Sequence, residues 1–317
     1  MLFKQARLFQ LTDSAYYSPE KLADKLEQLA FRECPPSMPL SSGWVSPIDE
    51  DHAPLIQMMN GYIMICLQVE EKILPAVVIR QELNKKIKKI EVNENRKVSQ
   101  KEKYALKDEI IVTLLSRAFS RLTKVYAYID IKNNLLILGT TNEKKTEQFL
   151  SIIKKTVGDK IQSFEINKLS YTLTHWLQHK SYPTSFSIEK SCVLQDPNQE
   201  NRVIRCQQQD LFAGSIQLLI KEGCQIKQIA LEWQDRVSFV LVDDFSLQSI
   251  QFKDEIIEQV KEMEPETTQQ IFNADFLIMT ETMSSLFKEL STLLAKPLKL
   301  EEMKPNVSNV ISMVKRG

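Results

Sequence analysis

The sequence predicts an α+β protein of two units, the first of them interrupted by an inserted basic helical arm. Three observations predict it. Strand-like runs and helix-period segments follow one another irregularly over the first 160 residues, which fits an α+β layer rather than a repeating strand–helix unit. Between residues 72 and 124 the pattern switches to helical spacing and turns strongly basic. A second series of strands and helices begins near residue 162. At 317 residues, 43% hydrophobic and 26% charged, the chain suits two or three compact units with ordinary cores.

The elements follow in order. A strand is expected over residues 2–11. Ser18 is placed as an N-cap before Pro19 in a first helical turn, and Leu22, Leu26 and Leu29 recur at helical spacing. Pro35, Pro36 and Pro39 mark an irregular connection, and a strand is expected over 61–69. Ile79, Leu83, Ile87 and Ile90 then form one apolar stripe. Ser99 and Glu102 make a capping box that opens a second helix carrying Leu106, Ile110 and Leu114. The polar residues 93–98 turn one helix into the other. Strands over 124–131 and 134–139 and a helix over 142–157, ended by Gly158, complete the first unit. In the second, strands are expected over 186–194, 202–208, 225–233, 237–242 and 247–252, and helices over 210–221 and 275–294. The expected division is therefore residues 1–72 with 122–160 as a central domain, 73–121 as the arm, 161–294 as a C-terminal domain and 295–317 as a flexible tail.

Charge is sorted along the chain. The total is neutral, with 41 basic and 41 acidic residues. Yet Lys72 to Lys124 holds fourteen lysines and arginines against six acids, a net +8. Residues 232–289 hold thirteen acids against four basic residues, a net −9. Most charge runs on amphipathic helices are solvated faces. Here the bias is one-signed over some fifty residues, which also suits a polyanion. The run closes on Arg117-Ala118-Phe119-Ser120-Arg121, where two arginines four apart would share one helix face and could each fork a phosphate. Phe119 could be core, stack on bases or anchor a protein contact, with core favoured by chemistry alone.

Other chemistries find less support. Only seven glycines occur, and neither a phosphate-binding GxxxxGK[ST] loop nor a GxGxxG fingerprint is present. Five cysteines without a CxxC pair read as reduced, buried thiols, and with no secretory leader and no long apolar run the protein is expected in the cytoplasm. His175 and His179, at i and i+4, could share a metal ion, but Trp176 stands where a zinc protease needs glutamate, so no metal or other cofactor is assigned. His52 has no partner nearby in sequence. No nucleophile–base arrangement is legible. A metal-dependent nuclease built on Glu70, Lys72 and Asp130 remains open, since Glu-x-Lys spacing after an acid suits that chemistry. Glu143, in the other such match, falls at a helix start, where the helix dipole already favours an acid.

Many ordered segments resemble the RdgC family of proteobacterial recombination-associated proteins. They include Gly43-Trp44-Val45, Asn60-Gly61, Glu70-Glu71-Lys72-Ile73-Leu74-Pro75 and Leu106-Lys107-Asp108-Glu109. Others are Arg117 to Arg121, Gln209-Asp210-Leu211, Leu231 to Arg236 and Ala274-Asp275-Phe276. The resemblance implies a crescent-shaped subunit that pairs with a second copy into a ring dimer. It also implies a non-enzymatic, sequence-nonspecific protein that encircles double-stranded DNA, with single-stranded DNA a further candidate, and restrains the recombinase RecA in the nucleoid. Carried over by position, the DNA-binding residues would be Lys86, Lys89, Arg96, Lys97, Lys103, Lys107, Arg117 and Arg121. Phe119 would be a dimer contact at the arm's tip, and the acidic 232–289 region would lie away from DNA. Three positions depart from the family pattern: His175 replaces an acid, Glu281 a glycine and Cys224 a basic residue.

Overall fold

The computed structural model describes residues 2–12, 18–48, 50, 53–163, 169–262 and 265–294; His52 and the 295–317 tail lie outside them. The chain divides into two compact units, one of residues 9–162 and the other of residues 1–8 with 163–317. Both are mixed α+β, each around its own sheet.

The 9–162 unit contains a sheet in the order β2-β4-β5-β6-β1-β7, with β3 also on β4. These strands are β1 (Arg7–Leu11), β2 (Leu40–Val45), β3 (Ile56–Met59), β4 (Tyr62–Lys72), β5 (Ser120–Asp130), β6 (Leu135–Leu138) and β7 (Ile161–Ser163). β4 and β5 run antiparallel without a break from Tyr62↔Asp130 to Lys72↔Ser120. β2 and β3 lie end to end along the other edge of β4. Helices α1 (Pro19–Gln28) and α4 (Glu143–Val157) pack on each other. Leu22 and Leu26 of α1 and Phe149 and Ile153 of α4 join Ile63, Ile65 and Leu67 of β4 in one core. Trp44 is its keystone: its ring meets Phe149 edge-on at 5.5 Å, and its indole N–H donates to the Thr156 hydroxyl at 2.9 Å. Burying an indole this way leaves no polar group unpaired.

The sequence reading of this unit missed β2, β3 and β7. β2 reads Leu-Ser-Ser-Gly-Trp-Val, without alternating apolar residues. It forms because the chain at Ala30 and Phe31 runs hard against it: a Cβ on Gly43 would stand 2.5 Å from the Phe31 Cα. Only glycine allows that approach. β3 and β4 are joined by Asn60-Gly61, both at positive φ (48° and 83°), the two-residue turn that suits a twisted hairpin.

The other unit has a five-stranded antiparallel sheet, β12-β11-β10-β8-β9. The strands are β8 (Phe186–Asp196), β9 (Gln199–Cys206), β10 (Gln225–Trp233), β11 (Val237–Val242) and β12 (Leu247–Phe252). The last three match the expected bounds. Helices α5 (Leu169–His179) and α7 (Asp254–Glu262) were not anticipated, and α6 (Gly214–Lys221) and α8 (Thr268–Leu294) start later and earlier than expected. α8 buries Phe276, Met279, Met283, Leu286, Phe287 and Leu290. It is pinned by Glu289, which accepts from the Trp233 indole at 2.8 Å and from the Ser185 hydroxyl. Residues 4–6 bond to β12 through Ala6↔Leu247 and Ile250 N–H to Lys4 C=O. That explains why the first residues belong to this unit. All five cysteines are buried, and none of them is in a disulfide. Cys192 and Cys206 face each other across β8 and β9, and burial pushes the Cys192 thiol up to about 12.

Candidate nucleic-acid interface

The basic segment leaves the sheet between β4 and β5. Beyond the last rung, Lys72↔Ser120, the Ile73 N–H still donates to the Phe119 carbonyl at 2.8 Å. From there α2 (Ala76–Glu94) and α3 (Gln100–Leu115) run as a packed pair. No side chain of α2 is fully buried; Ile79, Leu83, Ile87 and Ile90 are half-covered, while Ile110 and Leu115 of α3 are buried. The stripe is thus the inner face of a two-helix layer, too thin to bury both partners completely.

The turn between the helices is built by charge. Asn95 takes a left-handed conformation at the end of α2, and the Ser99–Glu102 capping box forms. Arg96 closes the corner. Its Nε donates to Glu94 at 2.6 Å, and its two terminal nitrogens grip the Glu102 carboxylate at 2.7 and 3.0 Å. That bidentate bond, helped by the Ser99 N–H, holds the Glu102 carboxyl down at about 2. A second tie joins the helices, Lys86 to Glu109 at 2.8 Å.

The eight basic positions therefore differ in what they can offer a phosphate. Arg96 and Lys86 are held by acids within the helix pair. Arg121 reaches Glu71 at 3.2 Å, and Lys144 of α4 reaches the same carboxylate at 2.6 Å. Lys144, chiefly, and Arg121 hold Glu71 below the usual carboxylate range. Lys89, Lys97, Lys107 and Arg117 are exposed and Lys103 is half-buried, and none of these five makes an ion pair among the described residues. They are the cations with charge to spare. Glu71 and Lys144 were not singled out in the sequence; seventy-three residues separate them, and only the sheet brings them together.

Two expectations are corrected here. Arg117 and Arg121 do not share a helix face, because α3 ends at Leu115 and Arg121 already lies on β5. The β-branched Thr123 and Val125 and the aromatic Tyr126 that follow favour the strand. Nor is Phe119 part of a core: it is 85% exposed. Ile73, Val77, Val78 and Leu122 are exposed around the same junction, an apolar collar beside a basic helix pair.

The nuclease trio does not assemble. Glu70 accepts the Cys34 N–H at 2.7 Å and lies 3.9 Å from the Lys72 ammonium. A hydrogen bond from Ser120, then the Cys34 amide, lowers its affinity for a proton. Asp130 is at the far end of the same ladder, opposite Tyr62, where its carboxylate caps the turn through the Asn133 N–H and side-chain amide. Eight rungs separate it from Glu70, roughly 27 Å at strand rise, far beyond the ~4 Å spacing of a two-metal centre. No group of three metal-ligating side chains comes together among the described residues. Glu143 opens α4, as the dipole argument expects.

These features define a class: a two-unit α+β protein that carries a cation-rich helix pair with an exposed aromatic residue at its root. Its kinship is equally definite. The chain belongs to the RdgC family, whose description reads "Putative exonuclease, RdgC", and matches it over residues 1–296. It is 36% identical over 290 residues to the recombination-associated protein RdgC of Yersinia enterocolitica, covering 91% of this chain and 96% of that relative. The protein of the same name from Yersinia pestis is 35% identical over the same shares. No helix among the described residues is long and apolar enough to cross a membrane.

Proposed function

We propose that this chain is a non-enzymatic, sequence-nonspecific DNA-binding protein. Two copies close as a ring around duplex DNA and modulate homologous recombination by restraining RecA, in the nucleoid of the cytoplasm. The helix pair α2–α3 is the inserted arm of that ring, and Phe119 with its apolar collar is the contact to the second copy. The observation that carries this reading is the surplus of charge on the helix pair: Lys89, Lys97, Lys103, Lys107 and Arg117 make no ion pair among the described residues, and acids occupy Lys86, Arg96 and Arg121 only through surface contacts that phosphate can displace. The relatives' name, recombination-associated protein, supports the process.

Affinity on this reading comes from phosphate contacts. With about six to ten phosphates engaged, log K against log salt has a slope of about −5 to −9, whatever the sequence of the duplex. Fluorescence anisotropy on two unrelated duplexes and one single strand between 50 and 300 mM salt (roughly the range where such slopes are read) is the test. A flat response, or strong preference for one sequence, sinks the proposal. The word exonuclease in the family description gives a second reading its own trial: end-labelled DNA with Mg²⁺ or Mn²⁺. Cleavage that Glu70→Ala abolishes would replace a binding protein with an enzyme.

A further inference from the structure

Tyr104 of α3 is 64% exposed. Two residues from Leu106, it points roughly 160° away from the stripe that packs on α2. Its ring and hydroxyl have no ring contact or hydrogen bond among the described residues. Lys101 and Lys107 flank it at i−3 and i+3, the spacing of neighbours on one helix face. Both lysines are exposed, and neither makes an ion pair among the described residues. An aromatic ring thus stands between two available cations whose Cα atoms are about 9 Å apart along the helix axis. Asp108, at i+4, is exposed on this side too, which makes the Lys101 flank the stronger phosphate site.

The turn that carries the ring is already fixed. The Ser99–Glu102 capping box and the Arg96 grip on Glu102 lie directly before it, and the Lys103 N–H donates to the Ser99 carbonyl at 3.0 Å. A tyrosine on a fixed backbone has only two side-chain torsions to lose on binding. A single exposed aromatic is ordinary on any protein surface; the flanking cations distinguish this one. Duplex DNA shows such a surface only base edges, sugars and phosphates. A single strand also offers the flat faces of its bases, which stack on aromatic rings whatever the sequence.

On the reading of α2–α3 as a DNA-binding helix pair, we propose that Tyr104 is its strand-discriminating residue. The ring stacks on a base of single-stranded DNA while Lys101 and Lys107 hold the neighbouring phosphates.

The test is fluorescence anisotropy of the full chain on three labelled probes: an oligodeoxythymidine, an abasic strand of the same length and a duplex. Tyr104→Ala is expected to lose at least about fivefold in affinity for the oligodeoxythymidine and to stay within about twofold of wild type on the abasic strand and the duplex. Tyr104→Phe keeps the stacking face and binds all three as wild type does. Circular dichroism of both variants matches wild type. Unchanged binding of the oligodeoxythymidine by Tyr104→Ala overturns the assignment, as does an equal loss on all three probes. Wild type that binds only the duplex overturns it while leaving the DNA-binding reading intact. Wild type that binds no probe ends both.

Discussion

The carbonyl of Phe119 accepts the Ile73 amide at 2.8 Å while the Phe119 ring stands 85% exposed. The backbone is fixed by the sheet and the side chain is offered outward. Phe119→Ala should therefore leave folding stability within about 0.5 kcal/mol of wild type, as for other surface positions. If the ring clasps a second copy, the same change removes about 2 kcal/mol from that contact. Sedimentation velocity should show weaker self-association, and DNA affinity should fall with it. Unaltered DNA binding would end this role for Phe119.

Glu71 divides its charge between Lys144 and Arg121. Glu71→Gln frees both cations while keeping the side chain's size. Because the pairs are exposed and worth at most about 1 kcal/mol, DNA affinity should rise by up to about fivefold. The salt slope should steepen by about one per cation recruited. A fall in affinity would mean that Arg121 needs Glu71 to hold it in place.

Glu102 titrates at about 2 in the folded chain against an ordinary 4.5. Its folded value is depressed, so it stabilises the turn above pH ~4.5 and that contribution is lost as pH falls towards 2. Protection of the Ser99 and Glu102 amides, taken relative to the intrinsic exchange rate at each pH, should fall across this window in wild type. In Glu102→Gln that protection should be low already at neutral pH, with no step on acidification. An identical acid profile in the two proteins would separate the turn from Arg96–Glu102.

Gly43→Ala places a methyl 2.5 Å from the Phe31 Cα and 2.6 Å from its nitrogen. Backbone cannot swing aside as a side chain does. Chemical denaturation should show a loss of about 1–3 kcal/mol. Stability equal to wild type would mean that the strand pair separates at little cost.

What the sequence disclosed depended on whether the deciding contacts were local. Apolar runs between polar turn residues marked β10, β11 and β12, and the Ser99–Glu102 box marked the start of α3 to the residue. β2 escaped because its reason for existing is the approach of Phe31 to Gly43, a packing fact rather than a propensity. The end of α3 was misplaced because Ser116 to Ala118 look no different from helix until β4 claims the residues after them. The cation surplus could be counted directly. Which cations are already occupied could not, since Lys86–Glu109 and Arg121–Glu71 join positions 23 and 50 residues apart.

The ladder from Tyr62↔Asp130 to Lys72↔Ser120 closes beneath α2 and α3. Topologically, the 47 residues between Lys72 and Ser120 are one long hairpin loop on a sheet already complete without them. Closing a loop costs about (3/2)RT ln n, so as bare chain this one is about 2 kcal/mol dearer than a four-residue turn. Grafting such a turn between Lys72 and Ser120 should yield a sheet domain that folds at least as well. The basic helices are thus cargo on an independent chassis, free to lengthen, shorten or change charge without asking the core's permission.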